Sequence, residues 1–261
     1  MKNIEIAKKL SRKVGKFKIR TRWLFNEIVD GLLPSPLYLT CPICEFSNDP
    51  SKFKVYHSYC IFNGGKLVRH ECPECGVIFG TQRMLALTPE ELGQEYIEHY
   101  SCYHEGDSTS SELKTFYYLN PKPEGIYLNF GCGEWSQTIE EARKEGYQLF
   151  GFDPYSANTN DEFIINDINV IKKMGFDGIM SNNVLEHIRY PDEVLSLMAS
   201  LLKSENCAMV HTTPCYDYCY EYTRFHLYFF AGNSLEYICR KVNLRFENTD
   251  NKDTKIFYKN V

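Results

Sequence analysis

Two cysteine pairs, Cys41-Pro-Ile-Cys44 and Cys72-Pro-Glu-Cys75, stand in one segment with a long interval between them. A C-x2-C pair on a tight turn points both sulfurs at one ion, and four thiolates suit tetrahedral zinc. An all-thiolate shell leaves no position open for a substrate, so the ion has a structural role. It supplies folding energy that so short a segment cannot draw from a core of its own. The interval exceeds the usual spacing of about 15–20 residues, which a β-hairpin between the pairs would absorb. Free thiols or a redox C-x2-C are the alternative. Two proline-containing pairs in one short segment favour metal. His57, Cys60 and His70 lie between the pairs and are available as substitute ligands.

A second pattern is Tyr127-Leu-Asn129-Phe-Gly131-Cys132-Gly133-Glu-Trp-Ser136. It follows an apolar stretch and precedes a helical one, the context a nucleotide-binding glycine loop requires. Asp153 comes later in the chain and would end the next strand, where an acid accepts both ribose hydroxyls. Two features oppose a nicotinamide dinucleotide. Ser136 stands where the third glycine belongs, and the chain left after Gly131 is too short for a substrate domain.

These residues need positioning elements. Helical spacing predicts helices over 3–14 and 23–33, broken by Pro34 and Pro36. Residues 41–80 read as short strands, and Pro89 opens a helix toward Tyr100. Residues 108–111 read as a polar loop and 121–125 as a linker turn. From Gly125 strands and helices alternate. Strands are expected at 126–130, 148–152, 163–165, 178–181, 208–212, 244–247 and 256–258. Helices are expected at 138–145, near Leu185, at 191–202 and at 234–242. The alternation implies a doubly wound, mostly parallel α/β sheet. The expected division is basic helices over 1–40, a zinc module over 41–80, a Tyr-rich linker or lid over 81–120, and a catalytic domain over 121–261.

The net charge of -5 argues against a general polyanion binder. Residues 1–22 nevertheless hold nine Lys/Arg against one acid, Glu5. That is either a solvated helix face or a patch for an anionic acceptor, nucleic acid or membrane surface. No apolar run is long enough to span a bilayer, and the basic N-terminus lacks a secretory core. A cytoplasmic location is expected, where the eleven cysteines stay free or metal-bound.

The ordered motifs resemble class I S-adenosylmethionine (SAM)-dependent methyltransferases with a Rossmann-like fold. Asn129-Phe-Gly131-Cys132-Gly133 resembles their first motif, and Gly151-Phe-Asp153-Pro154 their ribose segment. Ile165-Asn-Asp167-Ile168 resembles the segment that holds the adenine. Phe176 to His187, with Asn182, Asn183 and the Leu-Glu-His ending, resembles their fourth-strand motif. The resemblance covers about residues 121–248. Where the family usually carries an acid, this chain has Asn129, which implies weaker cofactor affinity. With the four-cysteine segment upstream, the chain is similar to members acting on nucleotide-linked sugars and in surface-polysaccharide pathways. In that subgroup the region of Tyr96, Tyr100 and Tyr103 closes over SAM. The large sugar C-methyltransferases among them carry a further C-terminal domain that this sequence does not show, which leaves their substrate and their C-methylation open.

The resemblance implies SAM as cofactor beside structural zinc, and a small-molecule or saccharide acceptor methylated on oxygen. Nucleic acid is the less expected partner, and oligomeric state is not readable. The reaction is an in-line displacement, so positioning dominates. A neutral hydroxyl benefits from a general base, and His187, at the sheet's C-terminal edge, is the first candidate. Glu186 would orient it or hold the acceptor. In some relatives this pair helps hold a divalent cation. His226 is placed to touch the acceptor. His211, Cys215 and Cys219 have metal-like spacing but supply only three ligands. Tyr216, Tyr218, Tyr220 and Tyr222 would either form an aromatic wall for a sugar or a base or pack as a lid, and Arg224 is either an anion anchor or a solvated surface arginine. The alternatives are an RNA methyltransferase with a zinc-ribbon module and a non-catalytic SAM-binding scaffold.

Overall fold

The computed structural model describes residues 2–32, 36–62, 64–103, 106–133, 136–156 and 162–260, with the backbone alone for 2–8. Leu33, Pro34, Glu134 and Trp135 lie outside the described residues.

The chain begins with α1 (Lys2–Leu32), β1 (Leu39–Thr40) and β2 (Ser47–Asn48). It continues through β3 (Lys54–Tyr59), β4 (Lys66–Glu71) and β5 (Ile78–Phe79). Three helices follow, α2 (Gln82–Leu85), α3 (Pro89–Cys102) and α4 (Thr109–Tyr117). Then come β6 (Ile126–Phe130), α5 (Gln137–Lys144), β7 (Gln148–Phe152), β8 (Ile164–Ile165) and α6 (Ile168–Met174). The last part holds β9 (Gly178–Asn182), α7 (Pro191–Leu201), β10 (Ala208–Thr212) and β11 (Tyr228–Phe229). It closes with α8 (Ser234–Lys241), β12 (Leu244–Asn248) and β13 (Thr254–Lys259).

The main sheet has seven strands in the order β12-β13-β10-β9-β6-β7-β8. Strands β10, β9, β6, β7 and β8 run parallel. β13 is antiparallel to both neighbours. The central strands are buried on both faces, as Leu128, Leu149, Ile179, Met180, Met209 and Val210 show. Helices covering both faces make such strands continuously apolar. This is the expected doubly wound α/β fold. Strand order reverses at β6: β7 and β8 lie on one side, β9 and β10 on the other. Ligands bind at such a switch point, outside the carboxyl ends of the strands.

A second, antiparallel sheet has the order β11-β5-β4-β3. Tyr228 pairs with Phe79 and Phe229 with Ile78. The cysteine-rich segment therefore shares a sheet with a strand from far downstream, beyond β10. Spacing within the segment carries no sign of that partner.

Three expectations give way. α1 is one helix of 31 residues, not two over 3–14 and 23–33. The β-branched Ile19 and Thr21 dilute the pattern between them, but packing of Ile19 and Trp23, both buried, carries the helix through. Residues 108–111 are the start of α4, not a loop, because burial of Thr115 and Phe116 outweighs the local serine-rich composition. α6 was not expected. It is capped by Asp167, whose carboxylate accepts Asn169 N–H at 2.8 Å, and it ends at Gly175 with φ +93°. α3 starts as its sequence suggests, with Pro89 in the first turn and a reciprocal Thr88–Glu91 capping box.

Candidate functional site

The glycine loop lies at the carboxyl end of β6. Gly131 (φ +79°) donates its N–H to Phe152 O at 2.7 Å, tying the loop to β7. A Cβ on Gly131 would stand 2.6 Å from Val184 Cγ2, so both conformation and packing demand glycine. Gly133 (φ +73°) differs: among the described residues a Cβ there would meet nothing within 4 Å. Its open side is a cradle where a ligand can approach the backbone. Asp153 closes the loop, its Oδ2 accepting Gly133 N–H at 3.0 Å and its Oδ1 accepting Tyr155 N–H at 2.8 Å. Pro154 follows, exposed, and the Tyr155 hydroxyl reaches Pro89 O at the start of α3. The nucleotide end of the crevice therefore abuts α3.

Asn129 is 1% exposed and pairs in register with Gly151 and Met180. Its Nδ2 donates to Glu112 Oε2 at 3.0 Å. Glu112 also accepts the Ser108 hydroxyl at 2.6 Å and stands 3.5 Å from Ser136 Oγ. Sequence reading missed Glu112. The available signal was a serine and a glutamate one helical turn apart at a helix start. On the same helix, Thr115 Oγ1 bonds Thr212 Oγ1 at 2.8 Å and Asn182 Oδ1 at 3.4 Å. α4 therefore bridges the ends of β6, β9 and β10. Asn183 adopts φ +54° and donates to Thr212 O at 2.9 Å. Asp167 and Ile168 begin α6, with the Asp167 carboxylate engaged as the helix cap.

After β9 the chain makes a 3-10 turn, Leu185–His187. His187 Nδ1 lies 3.1 Å from Phe225 O. A carbonyl only accepts, so Nδ1 carries the proton and Nε2 keeps its lone pair. His226 Nδ1 donates likewise to Tyr220 O at 3.0 Å. The two rings meet at 4.9 Å. Burial lowers the pKa of His187 to about 4 and that of His226 to about 2, so both are neutral near pH 7. Glu186 is fully buried, accepts the Thr213 hydroxyl and lies 3.8 Å from His211. That contact is not an ion pair. Burial drives His211 down to about 3, and its Nε2 accepts Leu185 N–H at 3.3 Å. Ligand atoms of Glu186, His187 and His226 lie within 4.8 Å of one another, the convergence that a divalent cation or a shared proton site requires.

α3 supplies an aromatic wall beside them. Tyr96 packs edge-on against His187 at 5.5 Å and at a tilt against Tyr100 at 4.4 Å. His99 stacks on Tyr103 at 4.5 Å and meets Phe225 at 4.9 Å.

The four cysteines converge as their spacing predicts. Cys41 Sγ lies 3.6 Å from Cys75 Sγ, Cys44 Sγ lies 3.5 Å from Cys72 Sγ, and all four fall within 4.8 Å. The two turns match: Cys41 N–H donates to Phe46 O, and Cys72 N–H to Val77 O. Without an ion, a hydrogen bond with Cys75 lowers the Cys41 thiol while burial raises the Cys44 thiol. Four thiolates this close repel one another unless a cation sits between them, and the donor set fits zinc. Among the described residues, His57, Cys60 and His70 stay outside this cluster.

The cysteine segment reaches the histidines through Arg69 of β4. Its guanidinium is fully buried and donates to Glu221 O at 2.7 Å, Thr223 O at 2.6 Å and His226 O at 3.4 Å. That side chain ties three carbonyls of the loop bearing His226 to β4, beside the bonds from Ser58 Oγ to Glu221 O and from Ile61 N–H to Tyr222 O.

Other expectations fail. Arg224 is not turned toward an anion. It is fully buried, packed over Trp23 at 4.5 Å and beside Cys60 Sγ and His99 Nδ1. The four loop tyrosines form no common wall. Tyr216 bonds His211 at 2.8 Å, Tyr218 packs on Tyr56, and Tyr220 faces solvent. Cys215 Sγ approaches His226 Nδ1 at 3.4 Å, and no metal-ligating group of His211, Cys215 and Cys219 forms among the described residues.

Residues 104–249, more than half of the chain, match the family model described as a methyltransferase domain. No curated protein matches the chain. Three solved structures illustrate the likeness. A magnesium protoporphyrin IX methyltransferase from Synechocystis, with bound SAM, is 14% identical, covers 67% of this chain and 98% of its own, and has a TM-score of 0.42. A SAM-dependent methyltransferase from Archaeoglobus fulgidus is 19% identical over 58% and 76%, with a TM-score of 0.44. The 1,6-didemethyltoxoflavin-N1-methyltransferase of Burkholderia thailandensis is 10% identical over 75% and 96%, with a TM-score of 0.48.

Proposed function

The chain belongs to the methyltransferase-domain family and is a SAM-dependent methyltransferase; from that premise we propose that it methylates an oxygen of a small-molecule or saccharide acceptor. The reading rests on one observation. The glycine loop after β6 and the unprotonated Nε2 of His187 after β9 open on the same carboxyl edge of the sheet.

SAM supplies a methyl group on a sulfonium leaving group. The open side of Gly133 admits its close approach to the backbone. Asp153 exchanges its loop hydrogen bonds for ribose hydroxyls. Asp167 and Ile168 flank the adenine, Asn182 and Asn183 line the opposite wall, and Tyr100 closes over the top. Glu112, held against Asn129, offers its carboxylate to the α-ammonium group. It makes good the charge that Asn129 lacks.

His187 takes the acceptor proton. A base with a pKa near 4 is weak but stays unprotonated at pH 7. An alcohol oxygen becomes strongly acidic as its bond to carbon forms, so a weak, available base suffices late in the step. His226 faces the same space; Phe225 O fixes the direction of His187, and Glu186 is buried behind the turn against Thr213 and His211. The four cysteines hold zinc, and β4 transmits that rigidity through Arg69 to the His226 loop. Residues 41–80 thus act as a brace for the acceptor side and 121–261 as the SAM domain; within 81–120, α3 is the lid, while α4 is fixed to the strand ends.

The test is transfer of labelled methyl from SAM to a set of nucleotide sugars and oligosaccharides. Label in an alkali-stable sugar ether is the expected result. Label only in RNA, or on nitrogen alone, would overturn the acceptor class.

A further inference from the structure

Helix α1 docks with one face and leaves the opposite face bare. Ile19 and Trp23 are buried. Arg22 pairs with Glu95 and Glu98 of α3, and Asp30 with Arg83. On the far side stand Leu10, Val14, Phe17, Leu24, Ile28 and Leu32, all exposed, with Phe17 at 71% and Leu32 at 80%. At about 100° per residue these positions form one stripe roughly 100° wide, directly opposite Ile19 and Trp23. Phe25 widens it. Thr21 falls in its middle, and its hydroxyl is turned back onto Phe17 O at 2.9 Å. A continuous apolar stripe of this length facing water marks an interaction surface.

The borders of the stripe are basic. Lys13 and Arg20 flank one edge and Lys18, which also reaches Glu98 of α3 at 3.9 Å, the other, all exposed. Among the described residues, no acid forms an ion pair with Lys9, Arg12, Lys13 or Arg20. The two acids of the helix's second half are spent on the docked side. Glu27 accepts Lys66 N–H at 3.2 Å, and Asp30 holds Arg83. The bare face is therefore apolar at its centre and cationic at its rims.

We propose that α1 lies on an anionic lipid surface, its apolar stripe in the headgroup–acyl boundary and its lysines and arginines on the lipid phosphates. This pairing of large apolar residues with basic rims fits helices that lie in the plane of a membrane. No described helix is long and apolar enough to cross one. Charge decides against a second copy of the chain as the occupant. Two such faces brought together would set basic rims against basic rims. An anionic bilayer takes up both the stripe and the charge.

Flotation of the full-length protein with vesicles tests this. Binding is expected to mixed phosphatidylglycerol–phosphatidylcholine vesicles, to weaken as salt rises, and to be much weaker with phosphatidylcholine alone. Phe17→Glu with Ile28→Glu should lower binding by about ten-fold or more while SAM titration stays unchanged. Thr21→Leu, which carries little risk to folding, should strengthen it. Three results would overturn the proposal: no flotation of the wild type, equal binding to neutral and anionic vesicles, or an α1-mediated dimer in light scattering that Phe17→Glu dissociates without any vesicle binding.

Discussion

The side-chain amide of Asn129 donates to the carboxylate of Glu112 across 3.0 Å, joining the first strand of the SAM domain to the helix that precedes it. The two residues come from different elements, and they set a half-buried carboxylate on a buried amide beside the glycine loop. Asn129 alone implied weak cofactor binding. With SAM placed as proposed, the charge that Asn129 lacks would come from Glu112 of α4.

Glu112→Gln should therefore weaken SAM binding by about 10–100-fold, the scale of a lost charge-assisted hydrogen bond. The effect should fall on the KM for SAM more than on kcat. Adding Asn129→Asp to that variant should recover part of the affinity, because the charge returns from the strand. Calorimetry on the two variants checks it, and unchanged affinity in Glu112→Gln would remove the residue from the site.

Metal analysis should find one zinc per chain. Cys72→Ser, or a strong chelator, should lower the melting temperature by several degrees or more, because metal binding is folding free energy here. Arg69→Met should leave zinc content intact but loosen the 221–226 loop. The expected readout is raised hydrogen exchange at Thr223 to His226 with little change around Cys41 to Cys44.

Stability should fall in mild acid. Burial and the neighbouring Arg224 and Lys16 lower the pKa of His99 to about 3. The unfolded chain binds that proton near pH 6.5 and the folded chain only near 3. Between those values the unfolded state holds more protons, so stability rises with pH and is lost as pH drops below about 6.5. The buried His211 acts in the same sense. Melting temperatures from pH 7.5 down to 5 should decline, and His99→Phe should make the decline shallower.

How much of this was legible in the sequence depends on how local the determinants are. The four cysteines were readable because two short turns decide their geometry, and the glycine loop because two positive-φ positions do. The parallel sheet followed from alternation of apolar runs. Nothing local announces that β11 completes the cysteine sheet, since its two residues pair with a strand far upstream. Arg224 reads as a surface cation until Trp23 of α1 is seen packed over it. Glu112 was hidden in a serine-rich stretch whose helix forms through tertiary packing of Phe116 against Tyr127 and Tyr147.

His187→Ala should lower kcat by about 10²–10⁴-fold, the usual range for a general base, with SAM affinity unchanged. The pH–rate profile of the wild type should be flat from pH 6 to 8, because His187 is already unprotonated there. Turnover is to be measured with whichever acceptor takes label. Undiminished turnover in His187→Ala would assign the histidine an orienting role only.

The most direct measurement is titration calorimetry of the wild type and Asp153→Ala with S-adenosylhomocysteine. One site per chain in the wild type, and its loss in a folded Asp153→Ala protein, is the predicted result. No binding to the wild type, or undiminished binding to Asp153→Ala, would contradict the placement of the cofactor between the glycine loop and β7.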